Sequence, residues 1–475
     1  MGFVSLNTGL SALSAQQHGL DVTGQNIANA NTDGYSRQRV RLEATGGLAA
    51  AAIFSRSLTP GGGVRALGFE RLRDAFLDAR ALQEHATDAS LRTTQSVLSR
   101  LELSFAEPGD NGIQEQLAAF WAGWDDVANR PGDTGARVQL LELGRTVAAS
   151  FTRVAHDLAS LRDASRGQLE ARVNDVNQAA ERIAELNTTI QSAVNAGLSP
   201  NDLLDQRDRL IGDLAGLAGV TTRPGDAGTA DVFIGGTALV RGSTVDALAV
   251  TAPDAAGTVE VRWGPLGPRA DLGGGELAGL VDAVDETLPV WQHSLDDAAC
   301  SVRDTVNRVQ AEGFDQAGAA GTPMFSGAGA GDLAVALEDP AGVAARAGTW
   351  NGGTPPAWIP AEGTLGGGNA LRAAGLGGAS SWEDTVTHEG GLAAPDGVYR
   401  TLVNALGTAV QRVDRKVELQ TRITAQVDSA RQAQAGVNLD EEMTNMLMFQ
   451  RAYQAAARFM ASVDETLDTL LRIAG

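Results

Sequence analysis

The C-terminal segment, residues 436–475, carries the most regular apolar pattern in the chain. Apolar side chains recur there in alternating steps of three and four. These positions are Met446, Phe449, Tyr453, Ala456, Met460, Val463, Leu467, Leu470 and Ala474. A stripe that repeats every 3.5 residues keeps facing the same partner helix and is typical of a coiled coil. Taken alone, the pattern fits the amphipathic core helix of a globular domain equally well.

A second stripe of the same spacing begins at the N-terminus. Its positions are Phe3, Leu6, Leu10, Leu13, Leu20 and Ile27. Gln17 and Gly24 interrupt it, and the turn-forming stretch NIANANTDGY, residues 26–35, ends it. Two terminal helices can pair only if the chain returns to its starting point. The two stripes therefore predict an elongated subunit with both ends at one pole, in which the C-terminal helix supplies the inner coiled coil.

The interior alternates between helical and β-like patterns. Apolar spacing predicts helices at about 69–103, 113–128, 136–196, 276–310 and 399–473, the third unusually long. Short apolar runs separated by Gly, Asp and Pro predict strands within 231–263. Residues 313–395 are rich in Gly, Ala and Pro, and the pattern there is irregular or β-like. We interpret Trp350, Trp358 and Trp382 as packing anchors of that segment rather than sugar-stacking platforms.

This order predicts an α+β multidomain fold: an elongated, mainly helical bundle built from both chain ends, with a terminal α-helical coiled coil and an inserted β-rich region. We expect residues 1–40 and 436–475 to form the coiled-coil domain. Residues 41–312 with 396–435 would form the helical bundle domain, including a small β region at about 223–270. Residues 313–395 would form an outer β-like domain.

The charge balance narrows the possible partners. The chain has 37 Lys and Arg against 58 Asp and Glu, a formal net charge of −21. Such a chain repels the phosphate backbone, so nucleic acid is not expected as a partner. Nothing approaches 18 consecutive apolar residues, so no membrane insertion is expected. With the single cysteine Cys300 and no Sec signal pattern, these features alone indicate a soluble cytosolic protein.

The residue types that carry chemistry form no recognisable constellation. The five histidines are scattered without an HExxH pattern, no glycine triplet is followed by GK[ST], and no GxSxG occurs. Glu441 and Glu442 are adjacent, so on a helix they point about 100° apart and are expected to be a solvated helix start. No enzyme, cofactor or metal site is therefore predicted.

Long motifs at the two ends carry a family resemblance. SLNTGLSALSAQQHGLDVTGQNIANANTDGYSRQRV, residues 5–40, resembles the N-terminal signature of flagellar rod, hook and hook-associated proteins. GVNLDEEMTNMLMFQRAYQAAARFMASVDETLDTLL, residues 436–471, resembles their C-terminal signature. The signature positions that we single out are Asn26, Asn29, Asn31, Thr32, Gly34, Tyr35, Ser36, Arg37, Gln38, Asn438, Leu439, Asp440, Glu441 and Glu442.

Interior stretches narrow the resemblance to the FlgK family of hook-associated proteins. SFAEPGDNGIQEQLAAFWAGWDDVANRPGD (104–133), DLLDQRDRLIGDLAGLAGV (202–220) and LDDAACSVRDTVNRVQAEGFDQAGAAG (295–321) look like this family. Gln310 departs from it, because members commonly carry His there. The resemblance covers nearly the whole chain except about 327–395.

The resemblance implies a structural subunit that polymerises through its terminal helices into a junction ring between hook and filament. It implies an extracellular flagellar location, reached by type III export without a cleaved signal peptide. The implied partners are the hook protein, a second junction protein of the FlgL type, other copies of the chain, and an export chaperone on the C-terminal helix. Two alternatives stay open: another axial protein (hook or distal rod), or a flagellum-carried hydrolase with residues 327–395 as its insert.

Overall fold

The computed structural model describes residues 2–45, 62–109, 112–254, 257–350, 358–361, 363, 365–378 and 394–474. At residues 2–4, 350, 358, 378, 470, 471 and 474 it describes the backbone alone. The side chains of Phe3, Leu470 and Ala474 therefore lie outside the described part, as does all of Trp382. Of the described residues, 67% are helical.

Ten α-helices occupy the described residues. They are α1 (Gly2–Ala28), α2 (Ala75–Phe105), α3 (Ile113–Asn129), α4 (Thr134–Asn195), α5 (Asn201–Ala218), α6 (Gly275–Asp282), α7 (Leu288–Glu312), α8 (Gly368–Ala374), α9 (Pro395–Ala435) and α10 (Leu439–Ala474). A single turn of π-helix, Ala283–Thr287, joins α6 to α7. Aspartate side chains cap the N-termini of α2 and α4. Asp74 accepts a hydrogen bond from the Phe76 amide at 2.8 Å, and Asp133 accepts one from the Gly135 amide at 2.8 Å.

The strands form small antiparallel sheets. They are β1 (Gln38–Thr45), β2 (Gly63–Arg71), β3 (Val220–Pro224), β4 (Ala230–Ile234), β5 (Thr237–Arg241), β6 (Thr244–Val245), β7 (Leu248–Val250), β8 (Val261–Trp263), β9 (Phe325–Ser326), β10 (Ala334–Val335), β11 (Gly348–Trp350) and β12 (Trp358–Pro360). One sheet has four strands in the order β3-β4-β5-β6, and the others are two-stranded ribbons.

Helix α4 organises the two main cores. Its 62 residues span about 93 Å at 1.5 Å per residue. Its first half packs with α3, α7 and α9 around fully buried side chains such as Trp124, Phe151 and Tyr399. Its second half packs with α5, α6 and the four-stranded sheet around Leu169, Ile183 and similar residues. A helix of this length is stable because partners cover it along most of its apolar face.

The structure corrects several sequence-based element predictions. The helix expected from residue 69 begins at Ala75, because Gly63–Arg71 pairs with Gln38–Thr45 as a strand. The helix expected over 399–473 is two helices separated at 436–438. Helix α5 was missed, although Gly219, in the left-handed region at φ 63°, ends it in the usual way.

The described part of 313–395 packs on the helical bundle. Phe325, Val343 and Ala370 are fully buried in the same core cluster as α3, α4 and α7. The division of the chain into domains, including an outer β-like domain at 313–395, stays a prediction.

Candidate functional site

Helices α1 and α10 pack along each other through an unusually close contact. A Cβ atom added to Gly19 would lie 2.6 Å from Cδ1 of Phe449, and one added to Gly9 would overlap Met460. Ala15, between these glycines, is buried. The large side chains of α10 therefore lie directly over small residues of α1, which lets the two backbones approach.

The predicted stripe of α10 lies on its more covered face. Met446, Phe449, Ala456, Met460, Val463 and Leu467 are half-buried, whereas Tyr453 is exposed. On α1, the most buried positions are mainly small or polar residues. They are Gly9, Ala15, Gly19, Val22, Thr23 and Asn26. The predicted α1 stripe lies beside them: Leu6, Leu13, Leu20 and Ile27 are half-buried, and Leu10 is 60% exposed. The large apolar residues of α1 therefore flank its contact with α10. The contact itself is made by small residues such as Gly9 and Gly19.

A polar cluster with a buried centre connects one end of this helix pair to the rest of the chain. We call it the elbow, and its members are Asn26, Tyr35, Arg37, Gln38, Glu441 and Glu442. Asn26, only 1% exposed, is its centre. The Asn26 Nδ2 group donates to the Gln38 carbonyl at 2.9 Å and to Glu442 Oε2 at 3.0 Å. Its Oδ1 atom accepts from the Tyr35 hydroxyl at 2.9 Å and from the Gln38 amide at 3.0 Å.

Arg37 and Glu442 form the charged half of the elbow. The Arg37 Nε atom donates to Glu442 Oε1 at 2.8 Å, and its Nη1 atom donates to Glu441 Oε2 at 2.7 Å. The Glu442 side chain is only 2% exposed. The expectation of a solvated helix start is therefore wrong for Glu442, because the loop before β1 folds over it. The two adjacent carboxylates do meet at one guanidinium group.

A chain of ion pairs continues from the elbow into the bundle. The Ser36 amide donates to Asp205 at 3.1 Å, and Arg71 donates to both Asp205 and Asp208 at 2.8 Å. Arg73 bonds Asp208 and also reaches Asp78 at 2.9 Å.

The far end of this ion-pair chain lies on α9. The Nε atom of Arg431 donates to Asp78 at 3.0 Å. The loop, β2, α5, α2 and α9 are therefore connected by alternating charges. At the near end, the Arg37 amide donates to the carbonyl of Ala435 at 2.9 Å, next to the break between α9 and α10.

The surroundings shift the pKa values of Asp208 and Tyr35 in opposite directions. Burial alone would raise the pKa of Asp208, but Arg73, Arg71 and Arg207 outweigh it and lower that pKa below its usual value. Burial, followed by the nearby Asp205, Asp202 and Glu442, raises the pKa of Tyr35 to about 12. Asp208 is thus held as an anion and Tyr35 as a neutral hydrogen-bond donor.

Most remaining signature positions shape the turn and the start of α10. Gly34 has φ +77°, a conformation that side chains disfavour. Asn438 Oδ1 accepts from the Asp440 amide at 3.0 Å and caps α10. Asn29 accepts from the Thr32 hydroxyl at 3.1 Å within the turn. Asn31 and Leu439 are exposed, and nothing in the single chain explains their side chains.

Sequence reasoning missed the ion-pair residues Arg71, Arg73, Asp205 and Asp208 and the glycines of α1. Pairs of acids and arginines within DLLDQRD, residues 202–208, were the available signal. Neither their burial nor their partners more than 130 residues away can be inferred from spacing alone.

The described residues contain no cluster of side chains that could hold a metal ion. Among them, no group of three or more His, Cys, Asp or Glu side chains could hold a metal. His85 contacts Asp428 at 3.1 Å, and His18 packs edge-on against Phe69. In the same part of the chain, no helix is long and apolar enough to cross a membrane.

Different family models match the interior of the chain and its two ends. The model of the flagellar hook-associated protein FlgK helical domain matches residues 98–325. The model of the flagella basal body rod protein matches 6–35, and that of the flagellar basal body rod FlgEFG protein C-terminal region matches 429–473. The two terminal matches cover nearly all of the α1–α10 pair, together with Asn26, Tyr35, Glu441 and Glu442 of the elbow.

Individual relatives agree with these family matches. Flagellar hook-associated protein 1 of Bacillus subtilis (strain 168) is 29% identical over 99% of this chain and 98% of its own length. The protein of that name from Escherichia coli (strain K12) is 24% identical over 98% and 99%. The one from Salmonella typhimurium is 28% identical over 68% of this chain and 59% of its own.

A solved structure shares the fold. The flagellar hook junction protein FlgK from Burkholderia pseudomallei superposes with a TM-score of 0.62 at 19% identity. The match covers 74% of this chain and 99% of that one.

Proposed function

Because the chain belongs to the FlgK family of flagellar hook-associated proteins, we propose that its paired terminal helices are the assembly device of a hook–filament junction. The chain is a structural subunit of the bacterial flagellum at that junction. The observation that carries the proposal is the elbow. It joins one exposed helix pair, made from both chain ends, to the helical bundle.

The surface of the helix pair supports assembly through it. Leu10, Met443, Leu447, Met448 and Phe459 are each about half or more exposed. Exposed apolar side chains grouped on one helix pair mark a surface that a partner covers. Neighbouring subunits, by covering these side chains, would gain the hydrophobic stabilisation that one helix pair cannot supply alone.

The partners follow from this role. We propose that other copies of the chain close a ring, with the hook protein on one side and a second junction protein of the FlgL type on the other. An export chaperone would cover the C-terminal helix before assembly. Export would use the flagellar type III channel, without a cleaved signal peptide. The chain would act through these contacts rather than through catalysis.

The shared terminal signatures explain why a hook or distal rod role was a reasonable alternative. Models of rod proteins match both ends of this chain, so the ends alone indicate only an axial flagellar component. The match of residues 98–325 to the FlgK helical domain favours the junction.

Localisation tests the proposal directly. In cells whose own copy is deleted, the labelled full-length chain should appear as one spot at the distal end of each hook and should restore filaments. Cells without it should make hooks and export filament subunits that fail to assemble. Label spread along the hook, or normal filaments in the deleted cells, would contradict the junction role.

A further inference from the structure

We propose that the β1–β2 ribbon of one copy docks in an acidic cleft of the next copy, with Arg41 as its central contact. The inference rests on the proposed function, because it assumes that copies of this chain assemble side by side. It adds a specific contact outside the terminal helix pair.

The ribbon presents one unbalanced positive charge. Residues that lie directly opposite each other on β1 and β2 share a face of the ribbon. Arg39 lies opposite Glu70 and Glu43 lies opposite Arg65, and both are ion pairs. Arg41 between them lies opposite Gly68, which has no side chain. Arg41 is exposed, and within the described ranges it forms no ion pair.

The cleft presents the opposite charge. It has a volume of about 780 Å³ and lies between the turn at 29–35, α4 and α5. Its lining includes four exposed carboxylates, which we call the rim carboxylates: Asp33, Glu185, Asp202 and Asp213. None of the four is ion-paired to another described residue. Arg182 and Arg209 also line the cleft, so four negative charges face two positive ones.

This lack of pairing contrasts with the neighbouring surface. Asp205 lines the same cleft, but its carboxylate is bonded by Arg71 and by the Ser36 amide. Asp205 thus marks the boundary, with the ribbon on one side and the open cleft on the other. A chain of net charge −21 needs a specific cationic feature to bring copies together, and Arg41 is placed to supply it.

The arrangement suits a ring. The ribbon and the cleft are different surfaces of one chain, so a contact between them is head-to-tail. Such a contact repeats around an axis and closes when the rotation between copies closes. Each copy would then use its ribbon on one neighbour and its cleft on the other.

Charge exchange tests the contact in cells that carry only the variant chain. Arg41→Glu should lower the fraction of hooks that bear a filament about tenfold, the effect of losing one strong charged contact. Asp202→Arg with Asp213→Arg should lower it similarly. All three changes together place an acidic side chain at position 41 opposite a cleft in which Arg182, Arg209 and the two new arginines outnumber Asp33 and Glu185. The fraction should then return to within about threefold of the unmodified chain.

Arg412→Glu is the matched control, because Arg412 is an exposed arginine on α9 remote from both surfaces, and the net charge changes equally. Melting of each purified variant, followed by circular dichroism, should match the unmodified chain. The proposal is overturned if Arg41→Glu behaves like the control. It is also overturned if the triple variant is no better than the cleft variant. If instead the unmodified labelled chain is absent from the junction, it is the proposed function that fails.

Cross-linking gives a second readout. With Cys300→Ser as background, Arg41→Cys and Asp213→Cys in the same chain should form disulfide-linked ladders in isolated hook–filament preparations. Either single cysteine variant should give no ladder. Assembled junctions without ladders would exclude the contact.

Discussion

At the residue scale, the functional region depends on positions whose side chains are small or fully paired. The side-chain amide of Asn26 is buried and makes four hydrogen bonds, two donated by Nδ2 and two accepted by Oδ1. Replacing such a group leaves its partners buried without hydrogen bonds, which costs about 1–3 kcal/mol for each. Glu442 has the same dependence on Arg37, since it is a buried charge.

The glycines of α1 give a prediction at this scale. Gly19→Leu should weaken the packing of α1 on α10 by about 1–3 kcal/mol, because the new side chain occupies the space of the Phe449 ring. The expected result is a clear loss of filament-bearing hooks in cells that carry only this variant. Gly24→Leu is the matched control, since a Cβ there meets nothing within 4 Å. Equal effects of the two substitutions would show that the close contact does not matter.

At the scale of elements, the ion-pair chain determines how the helix pair is held on the bundle. Arg71 is the last residue of β2, and Arg73 lies between β2 and α2. Asp205 and Asp208 belong to α5, and Asp78 belongs to α2. All these side chains are at least half-buried, so their pairs are less screened than surface pairs. Removing one partner would leave the others as buried charges.

The lowered pKa of Asp208 gives a prediction for pH. Its ionised form is favoured in the folded chain, so its contribution is present above the unfolded pKa of about 3.9 and is lost as pH falls through the folded value. Asp208→Asn should therefore lower the free energy of unfolding at pH 7. The difference from the unmodified chain should shrink below about pH 4. Urea unfolding at a series of pH values measures this, and a difference that is constant with pH would contradict it.

At the scale of the whole molecule, the first and last helices form one unit, and α2, α3, α4, α7 and α9 form a core of their own. The bundle core contains no side chain of α1 or α10. A change that blocks assembly through the terminal pair should therefore leave the bundle folded.

Val463→Asp tests this separation. A charge on the covered face of α10 is costly to bury, so incorporation at the junction should be lost. The midpoint temperature at which the purified variant chain unfolds should stay within a few degrees of that of the unmodified chain. A shift of that size corresponds to about 1 kcal/mol. Ser462→Asp, one residue away on an exposed position, should assemble normally. Normal incorporation of Val463→Asp would show that assembly does not depend on the covered face of α10.

The sequence by itself determined the positions of most long helices and the more covered face of α10, because the local spacing of apolar residues reports which side of a helix is buried. The start of α3, the course of α4 and the stripe of α10 all follow from that pattern. The family resemblance followed from the long terminal motifs, which require no knowledge of contacts.

Only the tertiary structure decided which residues carry the functional region. The β1–β2 ribbon depends on pairing between Gln38–Thr45 and Gly63–Arg71, and the elbow joins Asn26 to Glu442 across 416 positions of sequence. The burial of Glu442 depends on a loop that folds over it from the other end of the chain. Spacing along a chain records local geometry, whereas the partner of a charge or the neighbour of a glycine is set by distant segments that meet only on folding.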